Sequence, residues 1–179
     1  MINIGVIGCG YWGPKLIRNF HHNDRCRMRM ASDLSPHRLD AIRKIYPQLE
    51  TSEDPEAILC NPDIDAVAIA TPVCSHFDLG KRALENGKHV LIEKPMTKTV
   101  RQAEMLISLA ERKDLVLMVD HTFLYTGAVQ KMKKIIDSDD LGKIYYFDSV
   151  RVNLGLFQHD VNVVWDLAPH DLSIDRKSV

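Results

Sequence analysis

The segment Gly8–Gly13, Gly-Cys-Gly-Tyr-Trp-Gly, lies between an apolar run and a segment of helical period. Ile2–Ile7 precedes it as a candidate strand, and Pro14 follows at the first helical position, where its missing N–H costs little. In this G-x-G-x-x-G pattern the first glycine permits a tight turn, the second lets backbone approach a pyrophosphate, and the third allows close packing of helix and sheet. The pattern predicts a dinucleotide-binding turn formed by Gly8, Gly10, Tyr11, Trp12 and Gly13.

An acidic residue follows this turn at the spacing that ribose recognition requires. Asp33 ends the second candidate strand, twenty residues after Gly13. A carboxylate there would hold the adenosine ribose hydroxyls and repel a 2′-phosphate, which favours NAD over NADP. Arg38, further along, could reach a 2′-phosphate, so NADP remains the second choice. The alternative is that the glycines only make a turn and that Asp33 is a solvated loop residue.

Strand-like apolar runs alternate with helical segments along most of the chain. The candidate strands are Ile2–Ile7, Arg27–Ser32, Ile64–Ala70, Val90–Ile92 and Val116–Val119. The candidate helices are Pro14–His22, Pro36–Ile45, Asp54–Leu59, Ser75–Asn86, Val100–Lys113 and Gly127–Ser138. This alternation is typical of an α/β fold with a doubly wound parallel sheet, a Rossmann domain, which we assign to residues 1–122.

A second domain is predicted to begin after this unit, over residues 123–179. Ile144–Leu154 alternates too regularly, and is too long, for another buried parallel strand. It would need antiparallel neighbours, yet only about 25 residues follow it. We therefore expect the chain to end inside this second domain.

Charge and cysteine usage exclude several classes of function. The formal net charge is −1 and the sequence pI is about 6.7, so the chain has no basic excess for nucleic acid. It has no apolar run of the roughly 20 residues that span a membrane. The apolar opening segment lacks a basic n-region and is broken by glycine, so we expect a buried strand there and not a secretory signal. Its cysteines are scattered, which predicts no metal site and reduced thiols in the cytoplasm. They are Cys9, Cys26, Cys60 and Cys74.

Two further strand ends carry polar residues that would face a ligand, because ligands of parallel sheets bind beyond the carboxyl ends of the strands. Thr71 and Pro72 follow the third candidate strand, and Glu93 and Lys94 follow the fourth, before Pro95. A proline holds the residue before it extended. Lys94 could therefore polarise a hydroxyl beside a nicotinamide, or the pair could be an ordinary polar strand exit.

Near the end of the chain, Asp166 and His170 are four residues apart. If Pro169 lies in the first turn of a helix, both share one face, and a histidine oriented by a carboxylate suits proton removal from an alcohol. The alternative is a helix-capping aspartate and a surface histidine.

Together, the glycine turn, Ala-Thr-Pro with His76, Glu-Lys-Pro and the Asp-x-x-x-His segment resemble the Gfo/Idh/MocA oxidoreductases, over essentially the whole chain to about Ile174. The resemblance implies a Rossmann domain followed by an α+β domain with an open-faced sheet, which binds substrate and commonly mediates homo-oligomerisation. It implies catalytic roles for Lys94, Asp166 and His170, with His170 as the principal acid/base. It also implies that Thr71, Pro72, His76 and Glu93 line the cofactor crevice.

The implied activity is hydride transfer between NAD and a secondary hydroxyl of a sugar, nucleotide sugar or polyol such as inositol. The segments at the glycine turn and around His170 look most like the nucleotide-sugar branch, such as UDP-N-acetylglucosamine dehydrogenases of polysaccharide biosynthesis. Family members continue well beyond this length, so a C-terminally truncated chain is expected. The alternative function is a non-catalytic dinucleotide-binding module or an inactive fragment.

Overall fold

A computed structural model describes residues 1–151 and 162–178 of the chain. The chain divides into two compact units, Met1–Val119 and Asp120–Val179. The division falls three residues before the boundary predicted from the sequence.

The first unit alternates strands and helices. Its strands are β1 (Ile2–Ile7), β2 (Cys26–Ser32), β3 (Glu50–Ser52), β4 (Ala66–Ile69), β5 (His89–Ile92) and β6 (Leu117–Val119). Its helices are α1 (Gly13–His21), α2 (Pro36–Ile45), α3 (Glu56–Leu59), α4 (Val73–Glu85) and α5 (Val100–Arg112). All pairings are parallel, in the order β3-β2-β1-β4-β5-β6, which confirms the predicted doubly wound fold.

Both faces of this sheet are buried. Side chains of β1 alternate between the faces, so that Ile4 and Val6 pack with α1 and α2, while Ile7 packs on the other face with α4 and α5. The strand order reverses between β1 and β4, because the chain winds outward in both directions from this pair. In doubly wound sheets the ligand crevice lies beyond the carboxyl ends of the strands at this reversal.

One strand of the sheet was not predicted from the sequence. Glu50–Ser52 is β3, and it pairs with β2 at the sheet edge. Its three residues are Glu, Thr and Ser, so neither alternation nor an apolar run distinguished them from a loop.

At the amino ends of β4 and β5, a buried lysine holds a loop. Lys88 donates hydrogen bonds from Nζ to the carbonyl oxygens of Asn61 (2.5 Å) and Ile64 (2.8 Å). Burial lowers its pKa, and Asp65 opposes that change. Asp65 also accepts a hydrogen bond from the Asn3 amide at 2.7 Å. These contacts lie at the amino ends of the strands, away from the predicted crevice.

The second unit contains a 3₁₀ helix (Thr122–Tyr125) and two α-helices, α6 (Gly127–Asp137) and α7 (Val163–Ser178). The predicted strand Ile144–Leu154 is wrong for its described part, since residues 144–151 form no strand; residues 152–154 lie outside the described residues. A strand requires a neighbour for its backbone groups, and the described part of this unit offers no strand to pair with. In residues 1–151 and 162–178, no helix has the length and apolar character needed to cross a bilayer.

Candidate functional site

The glycine turn joins β1 to α1 as the sequence predicted, but the space beside its three glycines differs. Gly8 has a φ of +98°, and a Cβ there would lie 2.6 Å from the Ala70 carbonyl oxygen. A Cβ on Gly13 would overlap the Gly8 carbonyl oxygen. At Gly10 the nearest described atom would be Arg38 Nη1, 3.9 Å away. The fold therefore requires glycine at positions 8 and 13 but leaves open space beside Gly10.

Asp33 is buried beside this turn, with 8% of its surface exposed, so it is not a solvated loop residue. One carboxylate oxygen accepts a hydrogen bond from the Cys9 amide at 2.7 Å, and the other accepts one from the Ser35 amide at 2.8 Å. Arg38 Nη1 lies 3.4 Å from Asp33 Oδ2, with its own side chain about half exposed. The carboxylate is thus fixed at the end of β2, next to the turn after β1.

Cys9 in the turn is buried, and its thiol has a strongly altered acidity. Burial, reinforced by the Asp33 carboxylate and opposed by Arg38, raises the pKa of Cys9 to about 12. Tyr11 and Trp12, by contrast, are exposed, and Lys15 Nζ lies 3.5 Å and 4.0 Å from the centroids of their rings. This cation–π contact, which was not predicted from the sequence, places a positive charge on the first turn of α1.

The exits of β4 and β5 meet through His76. Its ring is buried, with Nε2 2.8 Å from the Thr71 carbonyl oxygen and Nδ1 3.0 Å from the Pro95 carbonyl oxygen. Ser75 Oγ donates to Thr71 Oγ1 at 2.7 Å, a contact that the sequence did not reveal. His76 and Thr71 therefore belong to one connected cluster, whereas Pro72 is exposed before α4.

Lys94 and Glu93 occupy the loop after β5. Glu93 is buried, and the Lys94 amide lies 3.2 Å from Glu93 Oε2. Lys94 is half-buried, and the Lys94–Pro95 peptide bond is cis. The alternative of an ordinary polar strand exit fits Glu93 poorly, because its side chain is buried.

Asp166 and His170 belong to the second unit, on α7, whereas Lys94 belongs to the first. Pro169 lies inside this helix and not in its first turn, because the helix already begins at Val163. The spacing of four residues still places Asp166 and His170 on one side of α7. His170 is buried, with its ring centroid 4.6 Å from that of Phe123, so it is not a surface histidine.

A charged pair adjoins His170 within the second unit. Arg151 donates two hydrogen bonds to Asp171, at 2.9 Å and 3.0 Å, and its guanidinium carbon lies 4.7 Å from the Phe123 ring centroid. The hydrogen bond from Arg151 holds the pKa of Asp171 below its usual range. In the same unit, burial lowers the pKa of His121, a change that Asp120 opposes. No spacing in the sequence pairs residues 151 and 171.

The model of the oxidoreductase family with an NAD-binding Rossmann fold, GFO_IDH_MocA, matches residues 2–121. This chain belongs to the Gfo/Idh/MocA family. The match covers the glycine turn, Asp33, Thr71, His76 and Lys94, and the family assignment made from the sequence is confirmed.

Two curated relatives extend this match toward the end of the chain. A 1-carboxy-3-chloro-3,4-dihydroxycyclohexa-1,5-diene dehydrogenase of Comamonas testosteroni is 29% identical, over 98% of this chain and 47% of the relative. A UDP-N-acetylglucosamine 3-dehydrogenase of Acidithiobacillus ferrooxidans is 28% identical, over 95% of this chain and 52% of the relative. The chain thus spans about half the length of these two relatives.

Solved structures show the same fold over most of this chain. A putative oxidoreductase from Klebsiella pneumoniae superimposes with a TM-score of 0.84 at 28% identity, covering 97% of this chain and 49% of that protein. A scyllo-inositol dehydrogenase from Lactobacillus casei, solved with NAD(H) and scyllo-inositol, gives a TM-score of 0.74 at 26% identity over 79% of this chain and 42% of that protein.

Proposed function

We propose that this Gfo/Idh/MocA chain binds NAD at the glycine turn and serves NAD-dependent hydride transfer to or from a secondary hydroxyl. The observation that carries the proposal is the open space beside Gly10. Packing explains glycine at positions 8 and 13 but not at position 10, where close approach of a ligand's pyrophosphate explains it. The N-terminus of α1 lies directly after this turn and favours an anion there.

The preference for NAD over NADP is proposed from Asp33. Two backbone amides fix its carboxylate beside the turn, where it would accept hydrogen bonds from the adenosine ribose hydroxyls. Its charge would also repel a 2′-phosphate. Arg38 would favour that phosphate, but in this structure it lies against Asp33 and part of its charge is offset.

The catalytic roles are proposed residue by residue. A bound nicotinamide would supply or accept the hydride. We assign His170 as the group that exchanges the proton of the hydroxyl, with Asp166 on the same side of α7 supporting it. Lys94, in the loop after β5, would assist near the nicotinamide by donating a hydrogen bond to the reacting oxygen.

The proposed substrate is a sugar, a nucleotide sugar of the UDP-N-acetylglucosamine type or a polyol such as inositol. The support is the substrates that the names of the similar dehydrogenases state. The nucleotide-sugar choice would place the reaction in polysaccharide biosynthesis. We propose a cytoplasmic location, where the four free thiols would stay reduced, and a homo-oligomer for a protein with the complete second domain.

Replacing Gly10 with alanine tests the cofactor proposal directly. The added methyl group meets open space in the protein but would obstruct the pyrophosphate. We expect the midpoint of urea unfolding to remain unchanged and the Kd for NADH to rise about tenfold, the effect of about 1.4 kcal/mol of lost binding energy. Calorimetric titration of the 179-residue chain with NADH measures the second quantity.

Gly127→Ala is the matched control, since a Cβ at this helix start meets no described atom within 4 Å, and a Cβ at Gly10 meets only Arg38 Nη1 at 3.9 Å. It should change neither unfolding nor NADH binding. If Gly10→Ala binds NADH as tightly as the natural sequence, the glycine turn does not receive the pyrophosphate and the proposal fails.

A further inference from the structure

His76 occupies a buried position between two loops that follow different strands. It lies in the first turn of α4, with 1% of its surface exposed. Nε2 contacts the carbonyl oxygen of Thr71, at the end of the β4 exit, and Nδ1 contacts that of Pro95, directly after Lys94. Carbonyl oxygens only accept hydrogen bonds, so each contact needs an N–H on the ring. Both bonds form together only in the imidazolium, which carries a proton on each ring nitrogen; the neutral ring donates to one of the two oxygens. One side chain thus holds both strand exits.

The contact with Pro95 bears on Lys94 because the two residues are adjacent. Glu93 N–H bonds to the Ile69 carbonyl oxygen at 3.0 Å, which ends the pairing of β5 with β4. Past that point, the His76–Pro95 bond links the Lys94 loop to α4. Thr97 Oγ1 then donates to the Thr99 carbonyl oxygen at 2.9 Å and ties the loop to the start of α5. Between these ties, His76 fixes the backbone that carries Lys94.

We propose that His76 is a positioning residue for Lys94: its Nδ1 bond to Pro95 holds the β5 exit loop in the geometry in which Lys94 faces the bound dinucleotide. The role of Lys94 near the dinucleotide rests on the proposed function, whereas the geometry of the His76 bridge is independent of it. His76 thereby acts through another residue and does not itself meet the reacting atoms.

The two bonds of His76 can be removed one at a time. In His76→Asn, the side-chain amide lies approximately where Nδ1 was and keeps a donor for Pro95. In His76→Gln, the amide lies approximately where Nε2 was and keeps a donor for Thr71. Both variants replace the buried ring with a smaller amide side chain, and they differ in which loop keeps its hydrogen bond and which loop is released.

Amide hydrogen exchange, followed by NMR on the 179-residue chain without cofactor, separates the two. Losing a buried hydrogen bond should speed exchange of the Lys94 and Met96 amides about tenfold in His76→Gln, and less than about threefold in His76→Asn. Amides of β1 should respond equally in both variants. Equal acceleration at Lys94 in both variants would show that His76 only stabilises the fold, and would overturn the proposal.

A measurement on the natural sequence keeps the proposal testable if both variants unfold. With ¹⁵N-labelled histidine, the His76 Nδ1 proton should appear as a slowly exchanging ring resonance, because the bond to Pro95 is buried. Its absence would contradict the bridge.

Adding NADH separates this inference from the proposed function. The Lys94 amide resonance should shift on NADH addition in the natural chain and in His76→Asn, with a shift at least halved in His76→Gln. If exchange follows the expected pattern but NADH moves no resonance in any variant, then His76 still holds the loop and the dinucleotide proposal is the one that fails.

Discussion

Gly13→Ala should abolish the folded state of the first unit. A methyl group on Gly13 would overlap the Gly8 carbonyl oxygen, which belongs to backbone and cannot rotate away. Relief would require α1 to move off β1, where Leu16 and Ile17 are buried in the core. We expect a loss of about 4 kcal/mol or more, comparable with the whole stability of many domains.

Urea unfolding followed by far-UV circular dichroism measures this loss. Gly10→Ala, three residues earlier in the same turn, is the matched control because its methyl group meets no close atom. Gly13→Ala should lose the cooperative transition that Gly10→Ala retains. Identical transitions in the two variants would mean that α1 does not approach Gly8 as closely as the structure shows.

Asp33→Asn should produce the largest change in cofactor binding. The natural carboxylate would accept hydrogen bonds from the ribose, and bonds to a charged group contribute about 1.5–3 kcal/mol. We expect the Kd for NADH to rise about tenfold to a hundredfold. The Kd for NADPH should fall or remain unchanged, because the repulsion disappears and Arg38 loses its ionic partner. Titrating both cofactors measures the two changes.

Asp65→Asn controls for the loss of a carboxylate that accepts a backbone amide. Asp65 accepts a hydrogen bond from the Asn3 amide at 2.7 Å, as Asp33 does from the Cys9 amide, but Asp65 lies at the amino ends of the strands. The Asp65→Asn variant should leave the dissociation constants for NADH and NADPH unchanged. A natural chain that binds NADPH more tightly than NADH would refute the proposed preference, whatever the variants do.

The first unit could be predicted because its signals are local. Ile2–Ile7 and Pro36–Ile45 have the predicted bounds, since an apolar run and a proline at the helix start define them. α4 begins at Val73, two residues earlier than predicted, because Pro72 ends the extended segment immediately before it. The three polar residues of β3 form a strand only because β2 lies beside them.

Within each unit, some side-chain contacts join residues that are far apart in the sequence, and spacing did not reveal them. His76 meets Pro95 nineteen residues away, and Arg151 meets Asp171 twenty residues away. Such pairs depend on how strands and helices are arranged after folding. The same dependence explains the wrong strand at residues 144–151, where alternation is present but the described chain provides no neighbouring strand.

The position of Cys9 also bears on resistance to oxidants. A cysteine inside a dinucleotide-binding turn would be a vulnerable point, because a sulfenic acid there would add bulk and polarity beside the phosphates. Oxidants react with the thiolate, and a pKa of about 12 leaves Cys9 almost entirely as the neutral thiol at physiological pH. Cys60 and Cys74 are exposed and are the thiols that peroxide would meet first. Oxidative damage would thus spare the turn that joins β1 to α1.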